Sequence, residues 1–252
     1  MNGLILCEGG TEAILLSYYL NKAFGWEFCK KAPEHLNIRQ DEFEESINWY
    51  KRGDDRLLIC GVGGKDKMKT FFNKKLLSPI INSKDTFTKI ALILDRDDKS
   101  IESMEAHASH LFRPIIKEMR NNKWIDNPYA DAFEMPNHVE ALLIVVPSEQ
   151  QGALETLMLD SISEDPYDAA IVKRAGEFVE EMRDSAARYV SSDRMKLKAH
   201  LGVTWAVQYP EKVFKLMDEQ IRSVSWEKSE VLRDCFQRLG DMLNEDDSVW
   251  GK

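Results

Sequence analysis

The sequence lacks several things that would have simplified its reading. No apolar run approaches the length of a membrane span, so no membrane contact is expected. The N-terminus has neither a basic region nor a cleavage site, so no signal peptide is expected and the chain is assigned to the cytoplasm. Only four cysteines occur, Cys7, Cys29, Cys60 and Cys235, and none forms a CxxC pair. Reduced thiols are therefore expected rather than a disulfide or zinc framework. Net positive charge is absent too. A balance of −9 argues against a protein that coats nucleic acid through its overall field, but not against an enzyme that grips a backbone through local lysines and a metal ion. No Ser/His/Asp order suggests a covalent hydrolase. No tyrosine context suggests strand transfer, and there is no internal repeat or low-complexity segment.

What is present is a core-forming chain. Of 252 residues, 43% are hydrophobic and 31% charged, as expected of a globular protein. Four short segments are apolar on both faces: Leu4–Cys7, Leu57–Val62, Lys89–Asp95 and Ala141–Val146. Such runs suit strands covered by helices on both sides. The stretches after the first three, 11–24, 65–81 and 100–120, can be helical. That order predicts an α/β unit whose four-stranded sheet is mostly parallel.

After about Leu159 the pattern turns helical. Residues 166–190 place Ile171, Ala175, Phe178, Met182, Ala186 and Tyr189 on one stripe, with Pro166 suited to the first turn. Residues 195–208, 210–221 and 229–243 continue the helical character. The reading is a catalytic unit over 1–160 and an all-helical extension over 161–252 packed on it, with a frayed tail at 244–252. Trp205 and Trp226 are read as core.

Acids gather where the four strands end. The first ends in Glu8-Gly9-Gly10, with Thr11 suited to cap the next helix and Glu12 in its first turn. The second ends in Gly61-Val62-Gly63-Gly64-Lys65-Asp66, which lacks the spacing of a P-loop. The third ends in Asp95-Arg96-Asp97. Two carboxylates two residues apart on extended backbone point to the same side, and a divalent cation relieves their repulsion. The fourth is followed by Glu155 at a helix start. Lysines cluster at 65–75 and 193–198; a solvated helix face is the plain reading of both. His107 and His110, i and i+3 on a helix, are read as a surface pair, and His200 follows the lysines.

Taken together, "CEGGTEAILL" with "LILDRDD" resembles the Toprim domain. That is the metal-dependent domain of topoisomerases, bacterial primases and OLD-family nucleases, and the similarity is greatest to the OLD-type and Toprim-only branch. "GALETLML" is similar to that branch's motif through Glu155, and "DRMKLKAHL" to its segment with a functional lysine, for which Lys196 and Lys198 both qualify. The resemblance covers roughly residues 2–201. The chain departs from full OLD proteins in lacking a Walker A segment, and its strands are separated by helices longer than a minimal Toprim fold needs.

The resemblance implies a Toprim-like fold and a Mg²⁺- or Mn²⁺-dependent nuclease cutting DNA or RNA. It implies metal ligation by Glu8, Glu12, Asp95, Asp97 and Glu155, and catalysis by Glu8, Asp95, Asp97 and Lys196 or Lys198. Lys65 and Lys67 would hold the substrate backbone. An anti-phage effector gated by a partner ATPase fits the missing ATPase segment, and a homo-oligomer stays open. The alternatives are a non-cleaving Toprim subunit that binds metal and nucleic acid, an Asp-x-Asp phosphatase with Asp95 as nucleophile, and an interaction protein whose rim acids are solvated surface.

Overall fold

The computed structural model describes residues 1–33, 36, 38–43, 45–83, 85–113, 115–212 and 217–242. Chain order runs β1 (Asn2–Cys7), α1 (Gly10–Phe24), β2 (Glu27–Cys29), β3 (Ser46–Arg52), β4 (Asp55–Gly61), α2 (Met68–Phe71), α3 (Leu77–Asn82), β5 (Lys89–Asp95), α4 (Ile101–Leu111), β6 (Ile125–Ala130) and β7 (Pro136–Val146). The helices α5 (Leu154–Ile162), α6 (Pro166–Glu181), α7 (Asp193–Gln208), α8 (Met217–Arg222) and α9 (Glu230–Phe236) complete it.

Among the described residues, one mixed sheet of seven strands has the order β2-β3-β4-β1-β5-β7-β6. The four anticipated strands are its centre: β1 pairs in parallel with β4 and β5, and β5 with β7. A four-stranded sheet is nevertheless too small. β3 adds antiparallel to β4, β2 to β3, and β6 to β7. These three escape a search for continuous apolar runs: β2 and β6 are the edge strands, and β3 lies one in from β2. β3 and β6 are only partly buried, and β6 carries Pro128, which an edge strand tolerates.

Alternation along the central strands builds two cores. Ile5, Ile59, Ile93 and Ile144 face a layer with Leu16, Tyr19, Met158, Trp205, Trp226 and Phe236. Leu4, Leu58, Leu92 and Leu143 face the other layer with Met68, Phe72, Met104 and Phe112. The C-terminal helices thus complete the core on one face of the sheet, and Trp205 and Trp226 are buried there. The chain leaves β1 toward one face and β4 toward the other. This switch opens a crevice at the carboxyl ends of β1, β4 and β5.

Several helices differ from expectation. The run 65–81 is broken: a 3₁₀ turn at Lys65–Lys67 leads into α2, a wide π turn at Phe72–Leu76, then α3. The run from Ser100 ends as a helix at Leu111. α6 starts where Pro166 suggests, capped by Asp165, but stops at Glu181. Its buried stripe is Val172, Ala175 and Val179, whereas Phe178, Met182 and Tyr189 are exposed. Residues 213–216 and the tail at 244–252 lie outside the described residues. The cysteines are free, with Cys7, Cys60 and Cys235 buried. Among the described residues no helix is long and apolar enough to cross a membrane.

Candidate active site

The carboxyl edge is built by close backbone approach. Gly61 ends β4 against the β1 turn: a Cβ there would lie 2.5 Å from the Gly9 carbonyl oxygen. Gly63 and Gly64 then take φ of 78° and 134°, and the Gly64 N–H donates to the Glu8 carbonyl at 2.7 Å. Gly9, not Thr11, is the N-cap of α1, so Thr11 lies inside the helix. A Cβ on Gly9 would sit 3.1 Å from Glu12 Oε2, so the missing side chain leaves Glu12 room to fold over the turn.

Four carboxylates are held at this edge below the surface. Glu8 is 3% exposed, Glu12 8%, Asp95 4% and Glu155 7%. Backbone donors fix two of them: the Asp95 N–H donates to Glu8 Oε1 at 3.0 Å, and the Leu154 N–H, at the start of α5, donates to Asp95 Oδ1 at 2.9 Å. Cations approach Glu8, Asp95 and Glu155, and Asp97 beside them. Lys65 Nζ lies 3.4 Å from Glu8 Oε1 and 3.2 Å from Asp97 Oδ2, and donates to the Asp95 carbonyl at 3.1 Å. Lys198 Nζ is 2.6 Å from Glu155 Oε1, and Arg194 Nη2 is 3.9 Å from Asp95 Oδ2. A cavity of about 340 Å³ is lined by Glu8, Glu12, Glu155, Arg194, Lys198 and the glycine turns.

Burial is the main force on Glu8, Glu12 and Asp95. It raises the pKa of Glu8, an effect that Lys65 opposes. It raises Glu12, with Glu8 and Glu155 adding repulsion. Asp95 is pushed up to about 8, first by burial and then by Glu12 and Glu8. A group held above its ordinary value of 3.8 binds its proton more tightly in the folded chain. Stability of the cation-free protein should therefore fall as pH rises through that value toward about 8 and level off above it. Melting temperatures taken in chelator at pH 5 and pH 8.5 check this. A flat or rising profile would contradict it.

Sequence expectation and placement diverge at four residues. Asp97 does not continue an extended strand beside Asp95. Its φ is 54°, imposed by an antiparallel bridge in which the Asp97 and Gly152 amides donate to each other's carbonyls at 2.7 and 3.0 Å. The left-handed conformation turns Asp97 toward a second cavity, and Lys65 is its link to Glu8. Lys65 is no free surface lysine but lies among the carboxylates. Lys67 pairs at the surface with Glu42 at 3.1 Å. Lys196 faces away from the acids, toward Asp193 at 3.2 Å and Glu180 at 4.0 Å, so of the two lysines only Lys198 lines the carboxylate cavity. The residue that composition hid is Arg194, four positions before Lys198 on α7 and so on the same face. His107 and His110 are exposed on α4, and a His200 ring nitrogen lies 2.7 Å from the Val172 carbonyl oxygen.

Among the described residues no group of three His, Cys, Asp or Glu side chains is gathered closely enough to hold a metal ion. The donor chemistry nevertheless suits a hard divalent cation, which takes carboxylate oxygens. With all ionised, the five carboxylates Glu8, Glu12, Asp95, Asp97 and Glu155 face three cations, Lys65, Arg194 and Lys198. The excess is that of one divalent ion. Lys65 and Lys198 occupy oxygens such an ion would take, so entry requires them to move.

A family model described as a protein of unknown function, DUF3226, matches residues 2–240. No curated protein matches the chain. Among solved structures, a hypothetical protein from Pyrococcus horikoshii OT3 is similar over 94% of this chain and 99% of its own, at 14% identity and a TM-score of 0.45.

Proposed function

The chain belongs to the DUF3226 family, and we propose that it is a Toprim-type, divalent-metal-dependent phosphodiesterase acting on DNA or RNA. The observation that carries this reading is the burial of Glu8, Glu12 and Glu155 around one cavity, with buried Asp95 bonded to its Leu154 wall and too few cations to balance the four. Burying uncompensated carboxylates is costly, and sites that bear such a cost at a sheet's carboxyl edge are candidates for chemistry.

Mg²⁺ or Mn²⁺ held by these four carboxylates would supply Lewis-acid polarisation of a phosphoryl oxygen and an activated water. Glu8, whose pKa burial raises above the ordinary carboxylate value, can take or return a proton. Lys198 and Arg194 face the cavity from α7 and can offset charge that develops on phosphoryl oxygens. Lys65, which follows the Gly63-Gly64 turn, would leave Glu8 and Asp97 to meet substrate.

The test is cleavage of plasmid, linear DNA and transfer RNA with Mg²⁺, Mn²⁺ or chelator. Cation-dependent cleavage is expected, and Lys198→Met should lower its rate by about 10²-fold. Unchanged cleavage in chelator would sink the reading, as would a Lys198→Met rate within twofold of wild type. A second reading, a non-cleaving subunit that binds metal and nucleic acid, is favoured by Lys65 and Lys198 already engaging the carboxylates. Calorimetric metal binding without cleavage would select it, and cleavage restored by a partner ATPase would return the nuclease assignment in gated form.

A further inference from the structure

A second cavity, of about 670 Å³, adjoins the carboxylate site and is separated from it by Arg194, which lines both. Its walls come from the loop after β5, the turn into α5, and the facing sides of α6 and α7. Nothing in the chemistry described above uses it. Its volume lies in the range of small-molecule sites, roughly 300–1,000 Å³.

The two cavities differ in character. The first presents Arg194 and Lys198 beside its acids. In the second, Ala153, Val179 and Leu197 are apolar lining, and the four acids Asp97, Asp98, Glu180 and Asp193 outnumber the two cations Arg194 and Lys196. Lys196 is engaged by Asp193 and Glu180. A phosphate would be repelled from that acid rim. A neutral group with an apolar face and hydroxyl or amino donors would be held. Gly176 lets the His200 ring pack against α6, since a Cβ there would lie 3.0 Å from it, and the Val172 carbonyl fixes that ring as part of the cavity wall.

We propose that this cavity binds the nucleoside next to the reacting phosphate, with its base against Leu197 and Val179, its hydroxyl and amino donors on the acid rim, and Arg194 as the partition at which the phosphate crosses into the carboxylate site. This rests on the phosphodiesterase reading, which it deepens by assigning the cavity that receives the nucleoside beside the reacting phosphate. Leu197 is half-buried, so a larger side chain there fills the cavity rather than the core. Glu180 is exposed at the rim.

The experiment is calorimetric titration of the full chain, with Mn²⁺ present, using adenosine monophosphate and inorganic phosphate as probes. Adenosine monophosphate should bind at least about tenfold tighter than phosphate, and Leu197→Trp should remove that difference. Glu180→Ala, which leaves the core untouched, should weaken the nucleotide alone. Equal affinities for the two probes, or nucleotide binding unaltered in Glu180→Ala, would overturn the proposal. Nucleotide binding without cleavage of any nucleic acid would keep this subsite and remove the hydrolytic reading. Cleavage without preferential nucleotide binding would do the reverse.

Discussion

Glu8→Gln is expected to lower cation-dependent cleavage by roughly 10³-fold or more while the protein melts at or above the wild-type temperature. The two halves of that expectation come from the same carboxylate. Glu8 is the acid at the end of the central strand, and its charge is buried at a cost that Lys65 only partly offsets. A glutamine keeps the shape, and its carbonyl oxygen still accepts the Asp95 N–H now 3.0 Å from Glu8 Oε1. Lys65 keeps Asp97 and the Asp95 carbonyl as partners. Losing a poorly compensated charge therefore relieves the fold while removing a ligand and a proton acceptor. A purely structural Glu8 would show the opposite pattern, with activity retained or stability and activity lost together. Cleavage rate and melting temperature measured on one preparation decide between them.

Gly61→Ala should destabilise by about 2–3 kcal/mol, a fall of roughly 5–10 °C in melting temperature for a chain of this size. The added methyl would stand 2.5 Å from the Gly9 oxygen, 2.8 Å from its carbonyl carbon and 3.0 Å from the Gly10 nitrogen. All three are backbone atoms, so no rotamer change can make room. β4 would have to part from β1 at its last residue, where Cys7 faces Gly61. Gly10→Ala is the control. A Cβ there meets nothing within 4 Å, and the residue opens α1, so little change is expected. A Gly61→Ala variant that melts within a degree or two of wild type would show that the two turns do not need their close approach.

How far the sequence foretold this molecule follows from what each element buries. The four central strands were legible because both faces are covered, which leaves no polar position to break the apolar run. β3 and β6 hide because each is only partly buried, and β2 is only three residues long. In the site, Glu8, Glu12, Asp95 and Glu155 were legible because strand ends and helix starts carry fixed positions in a parallel sheet. Asp97 was misread because the two-residue rule assumes extended backbone, and the bridge to Gly152 sets its φ to 54° instead. Arg194 was hidden because its role depends on where α7 packs, which no local pattern encodes.

The two amides that cradle the acids have a use of their own. The Asp95 N–H rests on Glu8 and the Leu154 N–H rests on Asp95. A proton arriving on either carboxylate, or a cation drawing its charge away, weakens the acceptor and shifts the resonance of the amide that leans on it. These two peptide protons are thus built-in voltmeters for the cluster. In a nitrogen-correlated spectrum they would track the ionisation of Glu8 and Asp95 without an added probe group, a substrate or a turnover.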